Sequence, residues 1–187
     1  MDHYIDIRLL PDPEFPPPVL MNALFSKLHR RLVEAGGGEI GVSFPGYRED
    51  PPQLGQRLRL HGSLTALDRL MQAEWLSGMR DLLHVEGPFE LPPVQGYRQV
   101  HRVQAKSSPE RLRRRRMKRH HLSPEQARRA VPDEAAERLR LPYVVLDSRS
   151  TGQRFRLFIR QGPLQDRPGN GTFSHYGLGN GATVPWF

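Results

Sequence analysis

Tyr4-Ile5-Asp6-Ile7-Arg8-Leu9 alternates apolar and polar residues with the period of a strand that buries one face. Prolines at 11, 13, 16, 17 and 18 turn the chain out of it. Leu20, Leu24, Leu28 and Leu32 then fall four apart, with Met21 and Phe25 beside them, on one face of a helix that Gly36-Gly37-Gly38 ends. Ile40–Phe44 reads as a second strand, turned by Pro45-Gly46, and Gln56–His61 as a third. Ser63 can cap a short helix that carries Leu64, Leu67, Leu70 and Met71 inward. The apolar stretch Trp75–Leu83 leads to a last strand around His84-Val85.

The order βαββαβ is the split arrangement of the ferredoxin-like fold, which many unrelated proteins share and which therefore says little about function. Residues 86–97, with Gly87-Pro88, Pro92-Pro93 and Gly96, read as an interdomain linker. Beyond it Tyr97–Gln104 alternates as a strand. Ser108-Pro109-Glu110 and Ser123-Pro124-Glu125-Gln126 are helix starts, the second a capping box, and predict helices near 109–121 and 124–138. Tyr143–Ser148, Arg154–Arg160 and Thr172–Gly177 read as antiparallel segments, followed by the loop Gly177-Leu178-Gly179-Asn180-Gly181. The expectation is an α+β protein of two domains. Residues 1–94 form a ferredoxin-like βαββαβ domain, and residues 95–187 an α+β domain with an arginine-rich helix and antiparallel strands.

The 187 residues are 37% hydrophobic, enough for a modest core, and hold no apolar run of bilayer length. Met1-Asp2-His3-Tyr4 lacks the basic-then-apolar pattern of a signal peptide, so a cytoplasmic location is expected. The absence of cysteine excludes disulfides, thiolate nucleophiles, zinc ribbons and iron–sulfur clusters. The net charge is +8, from 28 basic and 20 acidic residues, and only Lys27, Lys106 and Lys118 are lysines. Residues 1–97 carry 9 basic and 13 acidic residues, net −4, whereas residues 98–140 carry 14 and 5, net +9. A local, arginine-dominated stripe is the footprint of a nucleic-acid binder, because the guanidinium fork matches phosphate and guanine edges. The alternative is a solvated basic helix.

Arg111, Arg113, Arg114, Arg115, Arg116, Lys118, Arg119 and His120 surround the first of these helices, and its apolar Leu112 and Met117 lie 140° apart at 100° per residue. With no stripe to bury, it should dock weakly and be wrapped by an anionic partner. On the preceding strand Arg98, Arg102 and Gln104 share a face by period two, and arginine and glutamine can pair with guanine and adenine. Phe155 could stack on a base, or be plain core in the alternation Phe155, Leu157, Ile159.

Carboxylates in the basic half are few and no metal-ligating histidine spacing occurs, so no metal site and no cofactor is expected. Metal-free RNA cleavage needs less. The ribose 2′-OH is the nucleophile, and the protein supplies a base, an in-line geometry and charge to offset the phosphate. Histidine suits the base. His29, at the edge of the Leu28/Leu32 face, reads by itself as a boundary histidine; Ser148 and Tyr176 are ordinary alone.

Together they are informative. Met1-Asp2-His3-Tyr4-Ile5-Asp6-Ile7-Arg8, Lys27-Leu28-His29, Gly41-Val42-Ser43-Phe44-Pro45 and Tyr97-Arg98-Gln99-Val100 resemble one family, as do Arg102-Val103-Gln104-Ala105-Lys106-Ser107 and Pro109-Glu110-Arg111-Leu112-Arg113-Arg114-Arg115. Ser150-Thr151-Gly152-Gln153, Phe155-Arg156-Leu157-Phe158-Ile159-Arg160, Tyr176-Gly177-Leu178 and Val184-Pro185-Trp186-Phe187 complete the likeness. The family is the CRISPR-associated endoribonuclease of type I-F (Ypest) systems, the Csy-type enzyme that cuts precursor CRISPR RNA. The resemblance implies that His29 is the general base, that Ser148 holds the ribose 2′-OH, that Tyr176 orients the histidine and that Ser150 is a further hydroxyl near the cut. It implies phosphate contacts from Arg114, Arg115, Lys118, Arg119 and His120 in the major groove of a repeat hairpin, base reading by Arg102 and Gln104, and stacking of Phe155 on the terminal base pair. No metal would be needed, and the products would be a 2′,3′-cyclic phosphate and a 5′-hydroxyl. The expected partners are the precursor and mature CRISPR RNA and the other subunits of the type I-F surveillance complex, with no membrane, and a monomer when free. Since His29, Ser148 and Tyr176 come from different elements, they are expected to meet across the domain interface. A non-catalytic RNA-hairpin-binding protein is the competing reading.

Overall fold

The computed structural model describes residues 1–104, 109–132, 139–148 and 152–187. It divides into two compact units, one of Met1–Val103 with Leu141–Phe187 and one of Gln104–Arg140. This differs from the expected division at 94/95, since the C-terminal strands return to the first unit.

That unit begins with β1 (His3–Leu9), α1 (Pro17–Glu34), β2 (Gly41–Ser43), β3 (Arg57–Gly62), α2 (Leu64–Gln72) and, after a single 3-10 turn, β4 (Leu83–Glu90). The strands form an antiparallel sheet in the order β2-β3-β1-β4. The alternation read in β1 becomes cross-strand pairs, Ile5 opposite Leu60 and Ile7 opposite Leu58, all buried. These residues join Leu20, Leu24, Phe25, Leu28 and Leu32 of α1, and Ala66, Leu67 and Leu70 of α2, in the core. Ser63 caps α2, accepting the Ala66 N–H at 3.2 Å.

The opposite residues of the same strands build a polar layer. Arg59 donates two hydrogen bonds to Asp6, at 2.7 and 2.9 Å, with both side chains buried. The rings of Tyr4 and Phe187 lie 4.8 and 4.1 Å from its guanidinium carbon. His61 is fully buried, 2.8 Å from the Ser43 hydroxyl. Burial, reinforced by the Arg59 charge, pushes its pKa down to about 3, so it is neutral at ordinary pH.

The remainder of this unit comprises β5 (Gly96–Arg98), β6 (Val100–Val103), β7 (Tyr143–Asp147), β8 (Arg154–Gln161), β9 (Thr172–Phe173), β10 (Gly179–Asn180) and β11 (Val184–Trp186). A second antiparallel sheet has the order β6-β8-β7, while β11 pairs with β5 and β10 with β9. Val100, Val144, Leu146, Leu157 and Ile159 belong to the same hydrophobic cluster as the first sheet and its helices. Polar contacts fasten the two parts. The Asn22 side chain on α1 accepts the Val145 N–H at 2.8 Å, and the Gln161 amide exchanges hydrogen bonds with the Phe44 backbone at 3.2 and 3.1 Å.

Two expectations are corrected. The 86–97 stretch is not all linker, because β4 runs to Glu90 and pairs with β1. Its register shifts between Tyr4 and Asp6, where Gly87 has φ +108° and an added Cβ would come 2.8 Å from the Tyr4 carbonyl oxygen. Gly87-Pro88 marks a bulge, where the residue types of a turn are also required. The predicted single strand Tyr97–Gln104 is broken at Gln99. Arg98 pairs with Val184 and Val100 with Gln161, so the two halves serve different sheets.

The second unit holds α3 (Pro109–His120) and α4 (Pro124–Ala130). The Ser123/Gln126 capping box is formed. The predicted helix to 138 ends at Ala130, before Pro132; residues 133–138, and the Ser108 cap, lie outside the described residues. The arginines of α3 are not equivalent. Arg113 and Arg116 turn to α4 and donate to the Val131 and Ala130 carbonyl oxygens at 2.8 and 3.1 Å, satisfying its C-terminal acceptors. Leu112 and Met117 are half-buried. The helix is therefore held by its own arginines, although no apolar stripe exists. Among the described residues no helix is long and apolar enough to cross a membrane.

Candidate functional site

His29 lies on the last turns of α1, half-buried between the core and solvent. Its Nδ1 is 2.9 Å from the His175 carbonyl oxygen. A carbonyl only accepts, so Nδ1 must carry the hydrogen and the neutral ring keeps its lone pair on Nε2. The Tyr176 ring stacks on the imidazole, with centroids 4.1 Å apart and planes 15° from parallel. One hydrogen bond and one stacked ring thus fix the tautomer and the plane of the histidine.

The turn that does this is itself pinned. The Ser174 N–H donates to the Leu178 carbonyl, and the Gly177 N–H to that of Ser174. The Gly177 carbonyl accepts the Val42 N–H of β2 at 2.9 Å. Gly177 has φ +69°, and an added Cβ would meet Val42 Cγ1 at 2.6 Å. Only glycine satisfies both the backbone conformation and the close approach.

His29, Ser148, Phe155 and Tyr176 line one cleft, together with Ser26, Arg30, Val33, Glu34, Leu146 and Asp147. Ser148 follows β7, where its backbone N–H donates to the Gln153 carbonyl at 2.9 Å and its carbonyl accepts the Gly152 N–H at 2.7 Å. Phe155 is half-buried and packs on the core at the cleft end of the Phe155, Leu157, Ile159 row, whose other members are fully buried. It is both core and lining. Contrary to expectation, the cleft lies within one compact unit, not across a domain boundary, because β7, β8 and the 174–178 turn pack with α1. Ser150 lies outside the described residues.

Arg102 is exposed on β6 with its guanidinium carbon 5.9 Å from the Phe155 ring centroid, and Gln104 is exposed just past that strand. Arg98, which shared their face in the sequence reading, is occupied otherwise, donating to the Gly162 carbonyl at 2.8 Å beside the Trp186 ring. Arg114, Arg115, Lys118, Arg119 and His120 of α3 are all exposed. At 100° per residue the first four, with Arg111, span a 140° arc, and His120 lies outside it.

Sequence reasoning missed His175 and Arg30. His175 acts through its backbone, which no residue type announces. Arg30 is one of 25 arginines, and only its place beside His29 on the cleft distinguishes it.

A helix-borne histidine of fixed tautomer, a strand-end serine and a stacked tyrosine thus share one cleft, the arrangement of a candidate acid–base site. Residues 4–187 match the family described as CRISPR-associated protein (Cas_Csy4), and the chain belongs to that family. It is 58% identical over 187 residues to the CRISPR-associated endonuclease Cas6/Csy4 of Pseudomonas aeruginosa (strain UCBPP-PA14), and 48% identical over 187 residues to that of Escherichia coli (strain UTI89 / UPEC). Both alignments cover 100% of each chain.

Proposed function

We propose that this protein is a metal-independent endoribonuclease that cuts precursor CRISPR RNA at the 3′ foot of the repeat hairpin and keeps the product. Family membership and the endonuclease names of its two relatives support the class of activity. The observation that carries the chemistry is the His29 ring, held through Nδ1 with Nε2 left to accept a proton, in a cleft that Ser148 also lines.

In this reading Ser148 holds the ribose 2′-OH and His29 Nε2 takes its proton. The 2′-oxygen bonds to phosphorus, the P–O5′ bond breaks, and the departing 5′-oxygen gains a proton. A 2′,3′-cyclic phosphate and a 5′-hydroxyl result. Tyr176 keeps the imidazole in plane and faces its cationic form through a ring, a favourable contact. Ser150 adds a hydroxyl near the cut. Arg114, Arg115, Lys118, Arg119 and His120 grip phosphates, Arg102 and Gln104 read bases, and Phe155 stacks on the terminal pair. Residues 1–94 contribute the base and residues 95–187 the RNA-contacting side chains, a division of labour that cuts across the two compact units. The antiparallel order β2-β3-β1-β4 supports a ferredoxin-like reading of the first part. The free protein is a cytoplasmic monomer that joins the type I-F surveillance complex with its RNA.

The test incubates a labelled repeat-type hairpin bearing a single-stranded 3′ flank with the protein in EDTA, beside His29→Ala. One cut at the stem's foot by the unaltered protein, with a cyclic phosphate end, and bound but uncut RNA in the variant are expected. Binding without cutting by both would favour a non-catalytic hairpin-binding protein.

A further inference from the structure

The cleft contains a cation with no task in the mechanism above. Ser26, Arg30, Val33 and Glu34 line it from the same stretch of α1 that carries His29, spaced as one helix face. Arg30 is exposed and has no ion-pair or hydrogen-bond partner among the described residues. The two acids of the cleft are engaged elsewhere. Glu34 lies 3.7 Å from Arg31, and Asp147 accepts from Arg154 at 3.0 Å. Arg31, the next residue, is tied in addition to the Arg69 carbonyl at 3.3 Å. The Arg30 guanidinium is therefore left uncommitted beside the base.

Cleavage by a 2′-oxygen passes through a five-coordinate phosphorus whose non-bridging oxygens gain negative charge. His29 becomes cationic only as it takes the proton, Ser148 contributes a neutral hydroxyl, and Tyr176 a ring. None is a fixed positive charge. We propose that Arg30 contacts the non-bridging oxygens of the scissile phosphate and offsets the charge that develops on them. This rests on the endoribonuclease reading. Arg30 transfers no proton: the bond from the 2′-oxygen to phosphorus forms and the P–O5′ bond breaks with the guanidinium charged throughout. A planar fork matches two phosphate oxygens, which a lysine ammonium does not.

The experiment measures single-turnover cleavage of the repeat hairpin at saturating protein for the unaltered chain, Arg30→Gln, Arg30→Lys and His29→Ala, with affinities taken on a hairpin lacking the 2′-OH at the cut. Because Arg30 is exposed, these variants should fold normally, which melting curves check. Arg30→Gln is expected to cut about ten- to a hundredfold more slowly. Its affinity should stay within about threefold. Arg30→Lys should recover part of the rate. Cutting by Arg30→Gln within about twofold of the unaltered rate would overturn the proposal, as would loss confined to affinity. If the unaltered protein fails to cut, or His29→Ala cuts equally well, the endoribonuclease reading itself falls and this proposal falls with it.

Discussion

The tautomer of His29 is decided by a backbone carbonyl, and its plane by a ring. Each can be removed separately. Tyr176→Phe keeps the aromatic face and should retain cleavage within about twofold, whereas Tyr176→Ala removes the stack and should slow single-turnover cutting by about fivefold, an aromatic contact being worth ~1 kcal/mol. Equal losses in the two variants would show that the phenol hydroxyl matters instead. Asp6 and Arg59 make a different residue-scale argument. Asp6→Asn strands a buried guanidinium, and the expected loss is about 3–5 kcal/mol in urea unfolding.

At the scale of an element, α3 shows that composition and role are separable. Its residues are almost uniformly basic, yet Arg113 and Arg116 close the carbonyls of α4 while Arg114, Arg115, Lys118 and Arg119 face outward. If the outward arc grips phosphates, Arg114→Ala should weaken hairpin binding and lower the steepness of its dependence on salt by about one unit in a plot of log K against log salt concentration. Arg116→Ala should instead leave that slope nearly unchanged and lower the melting temperature. An unchanged salt slope for Arg114→Ala would remove it from the interface. The turn at 174–178 makes the complementary point. Gly177→Ala must move the backbone or Val42, and with it the carbonyl of His175 that holds the base, so its cleavage rate should fall while hairpin affinity is kept.

For the whole molecule, pH links the polar layer to stability. His61 is neutral in the folded protein, with its pKa at about 3 against 6.5 for the unreacted side chain in water. Above pH 6.5 it is neutral in both states and its contribution is complete. As pH falls below 6.5 the unfolded chain binds a proton that the folded chain refuses until about pH 3, so stability declines by about 1.4 kcal/mol per pH unit across that window. In denaturant titrations between pH 6 and 4, His61→Gln should show a pH slope shallower by about one proton. Identical slopes would mean that the imidazole gains access to solvent in the folded state.

The sequence by itself determined the elements of the first 85 residues, the existence of the two helices after Ser108 and Ser123 with the capping box of the second, and the position of the charge, because period, caps and net charge are local properties of residue types. A chain-long set of short motifs also named the candidate site residues, and it named the family, which is the one the chain belongs to. It misjudged Gly87-Pro88 and the strand across Gln99, since a bulge and a switch between sheets use the residues that elsewhere make a linker or a continuous strand. Only the tertiary structure decided that the C-terminal strands share one core with the first sheet, and hence that His29, Ser148 and Tyr176 meet inside a single unit. Only it could show which arginines are spent on carbonyls and that Arg30 is not. The physical reason is common to all of these: a hydrogen bond from a backbone carbonyl and the pairing of one ion with another depend on approach in space, which residue order alone does not specify.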